Sequence, residues 1–228
     1  MSIVKVVKIL EGTNLMSKKR ISKKIISCFM LCALMMSSIM GFAINSNAAI
    51  VDGSQGGKAY YVGTPWELND AYLKAQDGDY IVFTNDIVCS GNRYVYKNII
   101  IDFDYHSLKF TGGSDGLYIS VSRNATLRNG AIYGANDSNS AVRICGGNLN
   151  LECMWIYGGD CKYCSYNNGN GIYSNYSYNN IHMNGCCVKG GNGYRKGYNY
   201  NNQTGKAIYG GKVIKEGMGY IAVDGACK

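Results

Sequence analysis

Gly116-Leu117-Tyr118-Ile119 … Ala125-Thr126-Leu127 … Ala131-Ile132-Tyr133-Gly134 is followed by a further version of itself. That version reads Ala141-Val142-Arg143-Ile144 … Leu149-Asn150-Leu151 … Trp155-Ile156-Tyr157-Gly158. Leu127 to Leu151 and Ile132 to Ile156 are both 24 residues apart. A third pass, Gly171-Ile172-Tyr173 … Ile181-His182-Met183 … Cys187-Val188-Lys189-Gly190, stands 32 residues further on at both matching positions. A fourth begins at Lys206-Ala207-Ile208-Tyr209-Gly210. Equal offsets within a pass place the extra residues of the third in one inserted loop, Cys161–Asn170. Fixed-period self-similarity is the signature of stacked repeats.

Each pass alternates apolar and polar residues over short runs broken by Gly and Asn, the pattern of short strands joined by turns. A single pass cannot bury its inner face, but passes stacked at the inter-strand spacing of ~4.8 Å can. The register predicts four inward columns: Leu117, Val142, Ile172 and Ile208; Ala125, Leu149 and Ile181; Leu127, Leu151 and Met183; Ile132, Ile156 and Val188. It predicts two outward columns as well, Tyr118, Arg143, Tyr173 and Tyr209 on one face and Tyr133, Tyr157 and Lys189 on a neighbouring one. The fold class expected is a right-handed parallel β-helix. Upstream, Thr64-Pro65-Trp66-Glu67 is a capping box with Pro at the first helical position. Leu68, Ala71, Tyr72 and Ala75 then share one face of a short helix. With the Asp77-Gly78-Asp79 turn and the strand Tyr80-Ile81-Val82-Phe83, this helix is expected to close the open end of the stack.

The N-terminal region is of another kind. Lys18, Lys19, Arg20, Lys23 and Lys24 precede an apolar run from Ile25 to Ile44, and Ser46-Asn47-Ala48-Ala49 offers small residues for cleavage. Residues 16–49 therefore read as a secretory signal peptide, and residues 50–228 as the β-helix domain. Residues 1–15 fit no part of that device and read as a mis-called start, with Met16 as initiator in a Gram-positive bacterium. The chain has 23 Lys+Arg against 15 acidic residues, net +8. Seven of the bases and one acid precede residue 50, leaving 16 against 14 and a net near +2. No basic cluster survives to bind nucleic acid. No further apolar stretch remains, so the mature form is expected not to span a membrane and to be secreted or held at the cell surface.

Two first-pass motifs carry a resemblance: Asp77-Gly78-Asp79-Tyr80-Ile81-Val82-Phe83-Thr84-Asn85-Asp86-Ile87 and Ile101-Asp102-Phe103-Asp104-Tyr105-His106-Ser107-Leu108. The Ile101–Leu108 motif is similar to the "IDLNGHTL" first-coil pattern of bacterial surface proteins. Over about residues 60–215 the chain resembles right-handed parallel β-helix proteins of the pectin-lyase-like superfamily. That resemblance implies fold far more strongly than activity, since fold does not dictate function.

Two functions compete. A polysaccharide lyase would need clustered acids for Ca²⁺ and a basic residue to abstract a proton, and a hydrolase would need paired carboxylates. Asp102, Asp104 and His106 lie two apart, in one row of a strand, but they also fit the first-coil turn implied by the resemblance. Asp115, Asp137, Glu152 and Asp160 are scattered, and stacking sets Glu152 beside Arg128. Flat tyrosines one pass apart, edged by Arg143, Lys189 and many Asn amides, instead suit sugar rings. The same ladders can also serve stability alone. The reading is a non-catalytic carbohydrate-binding or adhesive module for a polysaccharide or cell-wall glycan, with no cofactor and no metal.

Eight cysteines follow residue 49: Cys89, Cys145, Cys153, Cys161, Cys164, Cys186, Cys187 and Cys227. An even number in an exported protein points to disulfides, with buried thiols as the other outcome. Cys161 and Cys164 with His182 and Cys186 offer only weak zinc-site spacing.

Overall fold

The computed structural model describes residues 57–161, 168–193, 204–217 and 221–226. Residues 16–49, expected to form a signal peptide, residues 1–15, Cys164 and Cys227 lie outside the described residues. The elements in chain order are β1 (Ala59–Val62), α1 (Pro65–Lys74), β2 (Tyr80–Phe83), β3 (Ile87–Cys89), β4 (Arg93–Val95), β5 (Ile100–Asp102) and β6 (Ser107–Phe110). Then follow β7 (Asp115–Tyr133), β8 (Ser140–Tyr157), β9 (Asn170–Ser174), β10 (Asn180–Asn184), β11 (Cys187–Lys189), β12 (Ile208–Tyr209), β13 (Lys212–Lys215) and β14 (Ile221–Val223).

All strand pairings are parallel and fall into three ladders. One runs β1-β2-β5-β7-β8-β10-β13, another β3-β6-β7-β8-β11-β14, and the third β4-β7-β8-β9-β12. They join because β7 and β8 are long enough to run through all three in turn, and the sheet does not close into a barrel. Left-handed residues sit between the later segments: Asn129 (φ 58°) in β7 and Cys153 (φ 51°) in β8. The four inward columns are register partners as the spacing predicts: Leu117↔Val142↔Ile172↔Ile208, Ala125↔Leu149↔Ile181, Leu127↔Leu151↔Met183 and Ile132↔Ile156↔Val188. Residues of all three ladders meet in one core.

The capping box forms. The Glu67 amide donates to Thr64 Oγ1 at 3.2 Å, and Glu67 Oε2 accepts from the Gly63 amide at 2.8 Å. Leu68, Ala71 and Ala75 are buried in the same core, and Tyr72 packs against it. The Tyr72 hydroxyl is buried without a hydrogen-bond partner. Burial pushes its pKa upward, since phenolate would be stranded there. Tyr72→Phe removes an unsatisfied group, so chemical denaturation is expected to show unchanged or higher stability, by up to about 1 kcal/mol.

Asparagine and aspartate columns hold the passes in register at the turns. Asp77 accepts from the Asn98 amide, Asn98 from the Arg123 amide, and Asn148 from the Asn180 amide, all at 2.8–3.0 Å. Another series runs from Asp160 to the Asn192 amide at 2.8 Å and from Asn192 to the Ala226 amide at 3.1 Å. Asn98, Asn148 and Asn192, among the Asn amides expected to edge a ligand surface, are spent here, because turn amides need acceptors that no strand supplies.

Among the described residues four exposed carboxylates have pKa values held below the ordinary range by donors: Asp77 by the Asn98 amide, Asp86 by the Ser107 amide, Glu67 by the Gly63 amide and, against its partial burial, Asp224 by Lys206 and the Ala207 amide. A depressed folded-state pKa stabilises above the unfolded value and ceases to as pH falls through the folded one. Thermal midpoints are therefore expected to hold from neutrality to about pH 5 and to fall below about pH 4. Asp77→Asn should flatten that acid limb.

Candidate functional site

The two outward columns are register partners too. Tyr118↔Arg143↔Tyr173↔Tyr209 lie side by side on the third ladder, and Tyr133↔Tyr157↔Lys189 on the ladder that begins with β3. Tyr173 and Tyr209 stack at 5.1 Å between ring centroids and 5° between planes, and Tyr133 and Tyr157 at 5.1 Å and 6°. Arg143 sits between two rings, its guanidinium carbon 5.8 Å from the Tyr118 centroid and 5.2 Å from that of Tyr173. The geometry follows from parallel pairing, which places identical side-chain positions one rung apart.

The first column is longer than its sequence repeat suggests. Tyr94 pairs with Tyr118, with centroids 5.4 Å apart, and Tyr96 stacks on Tyr94 at 5.9 Å and 7°. Tyr94 precedes Tyr118 by 24 residues, the same interval as Leu127 to Leu151, and that interval is the signal that points to it. Trp155 is a further residue that the outward columns do not include. It is 56% exposed and pairs with Ala131 and Cys187 in the row beside Tyr133 and Tyr157.

Arg143 is fixed from below. Its Nη1 donates to Asp115 Oδ2 at 2.9 Å, and its Nε donates to Asn175 Oδ1 at 3.2 Å. Asp115 is buried and also accepts from Ser140 Oγ at 2.8 Å. Burial works against the Arg143 cation, but the Asp115 carboxylate and Cys145 outweigh it, and its pKa rises. Cys145 lies within the same group and accepts from Asn175 Nδ2 at 3.1 Å. Its hydrogen bond with the Tyr118 hydroxyl pushes that phenol up to about 12, so Tyr118 presents a neutral ring. The Tyr157 phenol is raised by burial and, to a smaller extent, by Cys187 and Tyr133.

The acids considered for catalysis do not form a row. β5 ends at Asp102, and Asp104 (φ 42°) and Tyr105 (φ 66°) turn left-handed, which carries Asp104 and His106 off the strand face. Asp102 is fully buried and accepts from Arg128 Nε at 2.8 Å, Asn129 Nδ2 at 3.2 Å and the Asp104 amide at 3.0 Å. Arg128 is a register partner of Glu152, yet its ion pair goes to Asp102 rather than to Glu152. A buried carboxylate is the costlier charge to leave alone, so it takes the guanidinium.

Cys89, Cys145, Cys153, Cys186 and Cys187 are free thiols, and the disulfides expected of an exported chain are not formed among them. Cys89, Cys161 and Cys186 are buried one at a time along the stack, where each serves as a small apolar residue. Burial raises the thiol pKa of Cys89 and Cys186. His182 faces Glu216, with Nδ1 2.5 Å from Oε1. Among the described residues no group of three or more His, Cys, Asp or Glu is arranged to hold a metal, and no helix is long and apolar enough to cross a membrane. A shallow cleft between β1 and α1, lined by Tyr60, Tyr61, Glu67 and Asp70, shares no residue with the aromatic columns.

Comparison with family models, curated proteins and solved structures finds no match to this chain.

Proposed function

We propose that the chain is an exported, single-domain, right-handed parallel β-helix akin to the pectin-lyase-like proteins of bacterial surfaces. In this reading it binds a polysaccharide or cell-wall glycan, as a carbohydrate-binding or adhesive module without catalysis. The basic n-region, apolar run and small-residue cleavage segment of residues 16–49 support export. Three parallel ladders on one core, with repeat intervals of 24 and 32 residues, support the β-helix.

The observation that carries the function is the in-register column Tyr94, Tyr118, Arg143, Tyr173 and Tyr209. Its rungs repeat at about the length of one pyranose residue in an extended glycan, so successive sugars can each rest a C–H face on one ring. Arg143 and Asn175 supply hydrogen-bonding edges in the middle of the column. The acids that a lyase or hydrolase would use are engaged elsewhere, Asp102 by Arg128 and Asp115 by Arg143.

A glycan array probed with the purified protein tests the reading. Retention of a defined set of polysaccharides, without release of unsaturated or reducing-end products, is the expected result. Retention of none would remove the proposal, and unsaturated product would replace it with a lyase.

A further inference from the structure

The two aromatic faces differ in charge. On the first, Arg143 is the central cation, and its charge is matched by Asp115 at 2.9 Å. The other has the order Lys109↔Tyr133↔Tyr157↔Lys189 along one column. Both lysines are exposed, and neither forms an ion pair among the described residues. They bracket two parallel rings, with exposed Trp155 in the adjoining row. Three rungs separate the lysines, about 14 Å at the inter-strand spacing.

We infer that this lysine-bracketed face takes a polyanionic glycan, whereas the Arg143 face takes a neutral one. The inference rests on the carbohydrate-binding reading and names the ligand class at one of its two surfaces. A polymer lying along the column would cross the strands, rest sugar faces on Tyr133, Tyr157 and Trp155, and meet an ammonium group at each end. A lysine ammonium is a mobile point charge with three donors, so it pairs equally with carboxylate, sulfate or phosphate. On the Arg143 face the guanidinium is already neutralised and stacked. An acidic sugar gains little there, while apolar C–H contact is undiminished.

Isothermal titration of the full-chain protein tests this with hyaluronate for carboxylate, dextran sulfate for sulfate, and poly(glycerol phosphate) for phosphate. Dextran and a cello-oligosaccharide serve as neutral glycans. The expected result is binding of at least one polyanion that weakens with added salt and falls roughly ten-fold in a Lys109→Ala/Lys189→Ala variant. Neutral-glycan binding should be unchanged in that variant, which also shows that it folds. Polyanion affinity unchanged in the double variant would overturn the inference. So would retention of neutral glycans with no polyanion bound at all. If nothing of either class binds, it is the underlying carbohydrate reading that fails.

Discussion

Replacing Asp115 by alanine is expected to cost about 3–5 kcal/mol of unfolding free energy, measured by urea denaturation. Asp115 is buried at the start of β7 and receives Ser140 Oγ at 2.8 Å and Arg143 Nη1 at 2.9 Å. Its attraction to Arg143 must offset the loss of hydration of both groups, and this it can do only with both present. Truncation leaves a partly buried guanidinium without its counter-charge and a buried Ser140 hydroxyl without its acceptor. Arg143 would also lose the anchor that holds it between the Tyr118 and Tyr173 rings. Ser140→Ala removes one hydrogen bond to that carboxylate but leaves the ion pair in place, and should cost less, about 2 kcal/mol. Equal effects of the two substitutions would mean that the carboxylate is not acting as a buried charge.

The other large effect is expected at Gly191. A Cβ placed there would lie 1.8 Å from the Gly159 carbonyl oxygen, and one at Gly159 would lie 1.9 Å from the oxygen of Ala135. Gly205 and Gly225 are equally confined, by Gly169 and Gly191. Amide-to-carbonyl bonds link the same residues: Gly225 to Gly205 at 2.9 Å, Gly205 to Gly191 at 3.0 Å and Gly191 to Gly169 at 2.7 Å. Backbone meets backbone at these glycines, and nothing flexible can give way. Gly191→Ala is therefore expected to destabilise by about 3 kcal/mol, the upper part of the range for overpacking. Gly91→Ala, at a site with open space around it, should be near neutral. Similar thermal midpoints for the two variants would show that the close approach is not a constraint.

Much of the architecture can be read from intervals. The 24- and 32-residue steps assign three inward columns and the Tyr133, Tyr157, Lys189 column, because a parallel register copies sequence spacing directly into space, whereas the Leu117 and Tyr118 columns advance together by 25, 30 and 36 residues. The capping box is legible because its pattern is local. What escapes such reading is the choice between partners. Arg128 faces Glu152 by register but pairs with Asp102, which spacing cannot weigh because burial decides it. The row Asp102, Asp104 and His106 fails at a left-handed turn, since alternation says nothing about where a strand stops. Asn residues suggest ligand-facing amides, yet the turns use them to bind the next pass. The glycines suggest turn residues, whereas those around Gly191 are needed for their lack of a side chain.

The stacked passes present Tyr118, Arg143, Tyr173 and Tyr209 as one column, proposed above to bind sugar. Titration of an array-selected neutral glycan into wild-type protein and into Tyr173→Ala tests it most directly. Tyr173 is half-buried on the outer face and touches both Arg143 and Tyr209, so its ring lies at the middle of the column. The predicted result is a fold retained by circular dichroism and an affinity roughly ten-fold weaker, the effect of losing one aromatic platform and the stacking of its neighbours. An affinity equal to wild type, with the fold intact, would contradict the account and leave the tyrosine column as a purely structural ladder.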